Sequence, residues 1–281
     1  MDIEKNFNNT LYEKYLHGEL PYNRLCLICN CTSHEMDKYF KNKGLKHRRY
    51  YLETYTQHNF FDDIDSELKS YLLGLYYADG SISKNRIDFS FTEKDVELIQ
   101  IIKDNICPFN KIYYIKSSTS KMTGYTNKPM YGIIFKSEHM CNTLNRYKMG
   151  CNKTYTIQDD LSFIPDEYMI DFIRGYFDGD GTVHISKGKR KYTLKSGVVK
   201  EYDYTNYNWS IISHTNEHLY IIKDFLFKNY NLHCNIIKES RGNFLIEINR
   251  KDDFYKMRDL LYQNANYFLK RKKEKFMAIP C

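Results

Sequence analysis

Residues 9–47 carry hydrophobic side chains at helical spacing in three short segments. The first segment stops at Gly18, the second opens at Pro21, and Ser33 is a good N-cap for a third that stops at Gly44. Two helices joined by a short turn, with basic residues following at 46–49, are typical of a DNA-reading helix-turn-helix. The pattern therefore predicts a small all-α helix-turn-helix domain over 1–52 and a linker over 53–64. Any three-helix bundle would show the same spacing.

From residue 65 onward the hydrophobic pattern predicts one order of elements twice: helix, two strands, helix, two strands, helix. The first copy spans 65–148; the second spans 149–281 and includes a leading linker. For the first copy we predict helix Leu68–Ala78, strands Ser81–Ser83 and Arg86–Thr92, helix Glu93–Ile106, strands Lys111–Ser117 and Met130–Phe135, and helix Glu138–Tyr147. For the second we predict helix Asp166–Phe177, strands Thr182–Ser186 and Asn208–Ser213, helix Asn216–Tyr230, strands Asn235–Glu239 and Phe244–Ile248, and a helix from Lys251. The expected fold class is α+β, with two pseudo-symmetric αββαββα repeats.

The two copies differ mainly in where they are lengthened. The first has a polar loop at 118–129, and the second has a basic insertion at 187–205. We expect this insertion to be a loop that reaches along a nucleic-acid backbone, because such contacts hold a polyanion without reading its sequence. A solvated basic loop would have the same composition.

The opening helix of each copy carries small residues four positions apart. They are Gly74 and Ala78 in the first copy, and Gly175 and Gly179 in the second. Residues i and i+4 lie on one helix face, so each helix offers a stripe with almost no side chain. Glycine inside a helix costs about 0.5–1 kcal/mol relative to alanine, and close packing of two backbones would offset that cost. The pattern predicts that these two helices pack against each other.

Each of these helices also ends on a carboxylate, Asp79 in the first copy and Asp180 in the second. The C-terminus of a helix already carries partial negative charge, and packing would bring two like charges together. Stability does not explain that arrangement, whereas a divalent cation does, because Mg²⁺ prefers oxygen ligands. Metal-held carboxylates commonly prepare water for attack on phosphodiesters. The sequence therefore predicts a Mg²⁺ (or Mn²⁺) site at Asp79 and Asp180.

Charge and composition permit a polyanionic partner. The formal net charge is +7, from 42 lysines and arginines against 35 acidic residues, and basic residues cluster at 187–200 and 270–275. The 27 tyrosines often lie beside these basic residues, and such side chains contact nucleic acids. An AT-rich gene would enrich lysine, asparagine, isoleucine and tyrosine in the same way, so the motifs carry more weight than the composition.

The remaining features indicate a cellular compartment. No apolar run reaches the ~20 residues that a membrane span needs, and the polar N-terminus shows no signal peptide. The eight cysteines follow no disulfide framework, which favours reduced thiols. Cys26, Cys29, Cys31 and His34 could suggest a zinc knuckle, but buried thiols are the commoner explanation. We expect a cytoplasmic protein, nucleoid-associated or phage-encoded, with no membrane partner.

The paired helices resemble those of the LAGLIDADG family. Residues Leu72–Gly80 match the family motif at all but the two tyrosines, and Ile173–Gly181 match its common variant RGYFDGDG. The linker at 152–167 and the closing segment Tyr267–Lys272 are also similar to the family. The resemblance covers residues 65–281 and is to the monomeric, two-motif homing endonucleases.

The resemblance implies that the motif helices form a central interface and that two four-stranded antiparallel sheets form a saddle over the major groove of double-stranded DNA. Asp79 and Asp180 would hold the divalent ions together with the backbone carbonyls of Ala78 and Gly179. One phosphodiester on each strand of a long target would then be cut. Lys136, at the end of the fourth strand, is the candidate catalytic lysine, although the second copy carries Asn249 and Arg250 there. Candidates to position water are Glu93, His214 and Asn249, and the first two could instead cap the helices that follow.

DNA readout is expected from outward-facing strand residues, every second one along each strand, with a register known to within one residue. Candidates in the N-terminal part and first copy are Arg48, Arg49, Ser81, Ser83, Lys84 and Arg86, with Asp88 and Ser90 on the same strand. Candidates in the second copy are His184, Ser186, Lys187, Lys189, Arg190, Lys191, Trp209, Ser210, Lys238 and Arg241.

Two other functions fit the same fold. One is a DNA-binding transcriptional regulator whose nuclease centre is inactive, and the other is an intron maturase that binds RNA. The presence of both Asp79 and Asp180 favours a site-specific double-strand endonuclease that works as a monomer.

Overall fold

The computed structural model describes residues 3–119, 124, 126–150, 160–240 and 242–279. The chain forms two compact units, the first made of Met1–Phe60 with Ile82–Asn142 and the second of Phe61–Ser81 with Thr143–Cys281. These bounds differ from the predicted division at residues 52, 64 and 148. The N-terminal helices group with most of the first repeat, and the first motif helix groups with the second repeat.

Five helices open the first unit: α1 Ile3–Asn6, α2 Asn9–Leu16, α3 Tyr22–Ile28, α4 Ser33–Lys43 and α5 Arg48–Thr54. The three predicted helices are all present. The N-cap of α4 is Thr32, one residue earlier than predicted, and it forms a capping box with Glu35. Gly44 ends α4 with a φ of +67°, which glycine adopts without steric cost. Helix α5 was not predicted. It begins within the expected helix-turn-helix domain and ends two residues into the expected linker.

The core of this helical region contains small thiols as well as aromatic rings. Its buried residues are Ile3, Tyr12, Tyr15, Leu16, Leu25, Cys26, Cys29, Met36 and Phe40. Two of the three cysteines considered for a zinc site therefore pack among apolar side chains.

The first sheet has the order β1-β2-β4-β3, with β1 Ser81–Ser83, β2 Arg86–Thr92, β3 Ile112–Ile115 and β4 Met130–Lys136. Helix α7 (Val96–Ile106) follows a 3-10 turn at Glu93–Asp95, and α8 spans Glu138–Arg146. Ile87 and Phe89 are buried with the apolar face of α7, whereas Arg86 and Asp88 alternate onto the opposite, outward face. The helix and strand order predicted for this repeat is confirmed.

The two motif helices are α6 (Glu67–Asp79) and α9 (Met169–Asp180), the latter preceded by a 3-10 turn at Asp166–Tyr168. Both are buried along most of their length, and both lie in the second unit.

The second sheet has the order β5-β6-β8-β7, with β5 Gly181–Thr193, β6 Val199–Ser213, β7 Asn235–Lys238 and β8 Phe244–Ile248. Helices α10 (Glu217–Tyr230), α11 (Lys251–Tyr262) and α12 (Lys270–Met277) complete the unit. The basic insertion at 187–205 is not the loop that we predicted. It extends β5 and β6 into an antiparallel hairpin, because polar and aromatic residues pair from Lys187↔Thr205 to Thr193↔Val199.

The molecule is thus a mixed α+β protein with two four-stranded antiparallel sheets, and the predicted fold class is confirmed. Within the described part of the chain, no helix has the length and apolar character needed to cross a membrane.

Candidate active site and nucleic-acid interface

The motif helices α6 and α9 touch backbone to backbone. A Cβ placed on Gly74 would lie 2.1 Å from the carbonyl oxygen of Phe172, and one on Gly175 would lie 2.1 Å from that of Tyr71. Any side chain at either position would force the helices apart. The close packing predicted from the small-residue stripes is therefore present.

This contact brings the ends of the two helices together. A Cβ placed on Gly179 would lie 2.2 Å from the Ala78 Cβ and 3.0 Å from Asp79 Oδ2. The Asp79 carboxylate therefore lies against the last turn of α9, which ends on Asp180. Both aspartates are exposed although the helices that carry them are buried. Two carboxylates that water or a ligand can reach thus share one end of a rigid helix pair.

A third motif carboxylate, Asp178, has a different environment. It is 1% exposed and accepts hydrogen bonds from Tyr71 Oη (3.0 Å), Tyr262 Oη (2.6 Å) and the Leu269 backbone N–H (2.6 Å). Burial raises the pKa of Asp178 to about 6, while its hydrogen bonds act in the opposite direction. Asp178 thereby ties α6, α11 and the segment before α12 to the motif helix α9.

A buried lysine caps the end of α9. Lys272 is 7% exposed, and its Nζ donates to the carbonyls of Phe177, Gly179 (3.2 Å) and Gly181 (2.7 Å). Burial lowers the pKa of Lys272 to about 8, whereas the charges of Asp178, Asp79 and Asp180 favour the protonated form. The ammonium group meets the negative end of the helix dipole and fixes the turn that presents Asp180.

Neither Asp178 nor Lys272 was among the predicted site residues. Leu269 and Phe276, three residues before and four residues after Lys272, are both buried, so the lysine lies on the apolar face of α12. That spacing was a readable signal, but the five basic residues at 270–275 indicated an exposed segment instead.

The residues at the helix ends fit a hard divalent cation. Exposed carboxylates and helix-end carbonyls are the oxygen ligands that Mg²⁺ and Mn²⁺ take, and the Gly179 carbonyl can accept from Lys272 and still offer a second lone pair. No group of three or more histidines, cysteines or acidic residues suited to a metal occurs among the described residues. A cation here would therefore complete its shell with water and substrate phosphate, as Mg²⁺ commonly does.

The other predicted catalytic residues lie on strand and turn ends. Lys136 is the exposed last residue of β4, and Glu93 is exposed at the start of the 3-10 turn before α7. His214 is exposed after β6. Asn249, after β8, is half-buried and accepts a hydrogen bond from Asn208 Nδ2 at 3.3 Å. Their catalytic and water-positioning roles stay predictions.

The outward face of the first sheet is polar. The predicted DNA-reading residues Ser81, Ser83, Lys84 and Arg86 are all exposed. Beside them the Asp88 carboxylate accepts hydrogen bonds from Tyr113 Oη (2.8 Å) and Ser90 Oγ (3.1 Å). This face offers donors, acceptors and cations of the kinds that read base edges and hold phosphates.

The outward face of the second sheet carries a hydrogen-bonded network. His184 and Ser186 are exposed on β5. On the neighbouring strands, Ser210 Oγ donates to Asn208 Oδ1 at 3.1 Å, and Asn208 Nδ2 lies within hydrogen-bond distance of both Glu247 and Asn249. These contacts orient amide groups that could pair with base edges.

One of the predicted DNA contacts on this sheet is wrong. Trp209 is fully buried and stacks on the Phe177 ring at 5.3 Å, because Asn208 and Ser210 occupy the outward positions of β6. Lys238 is the exposed last residue of β7 and alternates onto the face of Ile236, with its ammonium 5.6 Å from the Phe244 ring. Its DNA contact stays a prediction. Arg241, predicted with them, lies outside the described residues.

The basic residues of the hairpin divide between its two faces. Lys187, Lys189 and Lys191 alternate with Ser186 and Arg190 along β5. Lys189 and Lys191 both approach Glu201, at 3.1 and 3.6 Å, whereas Arg190 lies over the Tyr204 ring at 4.5 Å. The prediction of a single basic loop treats these four cations as equivalent. The structure shows that they are not, because their side chains have different partners.

The two N-terminal arginines also differ. Arg48 Nε donates to the Leu16 carbonyl at 2.9 Å and its Nη2 to the Phe109 carbonyl at 3.1 Å, and partial burial lowers its pKa. Its guanidinium thus joins protein segments, and the DNA contact that we predicted for Arg48 stays a prediction. Arg49 is 86% exposed and pairs with Glu53 at 2.7 Å.

Comparisons with known proteins agree with this architecture. Residues 167–225 match the family model of the LAGLIDADG-like domain. The meganuclease I-SmaMI bound to uncleaveable DNA superposes with a TM-score of 0.51 at 14% identity, covering 76% of this chain and 90% of that one. The homing endonuclease I-WcaI bound to its DNA recognition sequence gives 0.49 at 18% identity, with 78% and 90% covered.

A further similar structure is the N-terminal LAGLIDADG domain of DUF199/WhiA, with a TM-score of 0.41, 16% identity and coverage of 73% and 89%. No curated protein matches the chain in sequence. At this low identity the match to I-SmaMI shows the fold alone. The predicted resemblance to the LAGLIDADG family is confirmed at that level.

Proposed function

We propose that this chain, which has a LAGLIDADG fold and a LAGLIDADG-like domain at residues 167–225, is a site-specific, metal-dependent DNA endonuclease. One observation carries the proposal. Asp79 and Asp180 are exposed carboxylates at the C-terminal ends of two helices in backbone contact. Carboxylates there oppose the helix dipole and repel each other, and a divalent cation bound there would offset both effects.

The chain's own residues would hold and position the reacting groups. Asp79 and Asp180, with the carbonyls of Ala78 and Gly179, would ligate Mg²⁺ or Mn²⁺. When bound, such an ion supplies Lewis-acid polarisation of the scissile phosphate. Lys272 would keep the last turn of α9 in place, so that the Gly179 carbonyl and the Asp180 carboxylate stay aimed at the cation. We keep Lys136 as a candidate catalytic lysine.

The outward faces of the two sheets would bind double-stranded DNA. Asn208, Glu247 and Asn249 in the second sheet, and Arg86 and Asp88 in the first, present hydrogen-bonding groups suited to base edges. Because one chain carries both carboxylates, a monomer would supply the complete centre. Helices α2 to α4 would form a helix-turn-helix that adds to DNA binding.

The experiment is a cleavage-site selection. The full chain is incubated with Mg²⁺ and a randomised double-stranded DNA library, and the new ends are sequenced. Asp79→Asn with Asp180→Asn is the test variant, and Asp224→Asn, exposed on α10, is a control with the same chemical change. We expect metal-dependent cuts at one recurring site for the wild type and the control, and none for the test variant.

Binding to that library is measured in parallel. DNA binding that persists in the Asp79→Asn/Asp180→Asn variant while cleavage is lost would support the carboxylates as the catalytic centre. Site-specific binding by the wild type without any cut, unchanged by the substitutions, would contradict the nuclease and favour a transcriptional regulator. Preferential binding of structured RNA would favour a maturase.

A further inference from the structure

A groove in the first unit lies between helix α5 and the outward face of the first sheet. It has a volume of about 710 Å³ and is lined by Arg48, Arg49, Glu53, Arg86, Lys111 and Lys136, among others. Glu53 is the one carboxylate of this set, and it already pairs with Arg49 at 2.7 Å. The groove, which we call the α5 groove, therefore has a clear excess of positive charge.

The sheet side of the α5 groove is electrostatically unfavourable by itself. Arg86 and Lys136 are direct partners across β2 and β4, and Lys111 immediately precedes β3 on the far side of β4. All three are exposed, and none of them makes an ion pair within the described part of the chain. Like charges directly opposite one another destabilise a sheet, and a bound polyanion would remove that repulsion.

The helical side of the α5 groove is fixed to the sheet by contacts within the same unit. Arg48 donates to two carbonyls, at Leu16 and Phe109, and the His17 ring stacks on Phe109 at 5.0 Å. His58, just after α5, lies 2.9 Å from Ser137 Oγ through its Nδ1. The two walls are therefore preorganised, and the protein would lose little conformational entropy when a ligand binds.

We propose that the α5 groove binds the phosphodiester backbone of double-stranded DNA beside the bases that the first sheet contacts. The proposal rests on the proposed DNA-binding function and extends the DNA contact of the first sheet onto helix α5. Arginine and lysine donors recognise phosphate oxygens and carry no base information. Helix α5 thus adds affinity and fixes the register of the duplex, whereas the sheets select the sequence.

The test is the salt dependence of binding to a short fluorescent DNA duplex of mixed sequence, measured by anisotropy with EDTA present. Arg49→Ala with Lys111→Ala removes one cation from each wall. Lys103→Ala with Lys228→Ala, on α7 and α10, makes the same charge change away from the groove. Each lost phosphate contact lowers the slope of log K against log salt by about 0.9. We expect the test variant to lose about two units of slope, and the control none.

A third variant guards against misfolding. Glu53→Gln removes the carboxylate of the groove and should tighten binding several-fold with a steeper salt slope, which a misfolded protein would not do. An unchanged slope in the Arg49→Ala/Lys111→Ala variant would overturn the proposal and leave the nuclease proposal intact. Failure of the wild type to bind any duplex would overturn both. If the Arg49→Ala/Lys111→Ala variant has a reduced slope but the wild type never cuts DNA, the groove proposal is supported and only the nuclease proposal is contradicted.

Discussion

Single glycines set the separation of the motif helices. In Gly175→Ala the new methyl group would meet the Tyr71 carbonyl at 2.1 Å, and backbone cannot move aside as a side chain can. We expect a loss of about 3 kcal/mol in the free energy of unfolding, at the upper end of overpacking effects. Gly197→Ala is the control, since nothing lies within 4 Å of its Cβ and only its φ of +80° opposes the change. It should cost about 1 kcal/mol. Equal losses of unfolding free energy for Gly175→Ala and Gly197→Ala, measured in urea, would contradict the backbone contact between α6 and α9.

A buried histidine gives the second unit a pH-dependent stability. His218 lies on α10, is fully buried, and places Nε2 3.3 Å from Tyr176 Oη. Burial lowers its pKa from 6.5 to about 3. Below pH 6.5 the His218 side chain binds a proton in the unfolded chain but stays neutral in the folded protein. The free energy of unfolding therefore falls as the pH falls from 6.5 towards 3. The loss is at most about 1.4 kcal/mol per pH unit.

The corresponding variant is His218→Gln, with His34→Gln as an exposed control on α4. Unfolding free energies measured between about pH 6 and pH 4 should fall less steeply for His218→Gln than for the wild type, by about 2 kcal/mol over that range. The control should follow the wild type. Parallel pH profiles for all three proteins would show that His218 takes up its proton normally in the folded state.

Lys272 should matter for stability as well as for activity. In Lys272→Met the Gly179 and Gly181 carbonyls lose their donor, and buried Asp178 loses a nearby positive charge. Removing the counter-charge of a buried ionisable group costs about 3 kcal/mol or more. Lys275→Met, exposed on the same helix, should cost almost nothing. The free energies of unfolding of the two variants are measured in urea. Equal values for Lys272→Met and Lys275→Met would show that the Lys272 ammonium is exposed to solvent.

At the scale of elements, the long hairpin formed by β5 and β6 separates two kinds of cation. Glu201 lies within 4 Å of both Lys189 and Lys191, whereas Arg190 stacks on Tyr204 and keeps its donors for a ligand. We expect Arg190→Ala to weaken duplex binding several-fold and lower the salt slope by about 0.9. Glu201→Gln should strengthen binding, because it frees two lysines. Binding is measured by anisotropy titration. Weaker binding by Glu201→Gln would show that DNA binding depends on the ion pairs of Glu201 and is not increased by freeing the two lysines.

The elements that the sequence predicts well are those fixed by local pattern. Helices α2 to α4, the motif helices and strands such as Phe244–Ile248 follow from hydrophobic spacing and capping residues. The extension of β5 and β6 could not be predicted in this way, since its residues are exposed on both faces and only pairing between strands defines them. Trp209 was placed on the wrong face because alternation fixes a register only to within one residue.

The residues of the candidate site also divide into those predictable from local pattern and those fixed by packing between elements. Asp79 and Asp180 were predictable because the same carboxylate ends a helix in both copies, which is a pattern within the sequence. Asp178 was not predictable, since its burial depends on how α11 packs on α9. Lys272 could be found only from the apolar residues three positions before it and four positions after it. A charged residue in a basic segment indicates an exposed surface unless the apolar spacing around it is weighed as well.

At the scale of the whole molecule, the N-terminal helices are a structural part of the first unit. Arg48, His17 and Tyr51 contact Phe109 or its backbone, and the Gln57 backbone N–H donates to the Ile106 carbonyl at 2.8 Å. A tethered helix-turn-helix module would lack such contacts and would unfold alone. We therefore expect residues 3–60 and 82–119 to lose hydrogen-exchange protection together, in one cooperative step.

Hydrogen exchange followed by mass spectrometry across a urea series measures this directly. Phe109→Ala is the test variant, because it removes the ring on which His17, Tyr51 and Tyr55 pack. It should uncouple the two segments, so that residues 3–60 open at lower urea than 82–119. Phe227→Ala, which removes a ring 53% exposed on α10, should leave them coupled. If the N-terminal helices of the wild type already exchange separately, α5 is not a fixed wall, and the α5 groove would have to form when DNA binds.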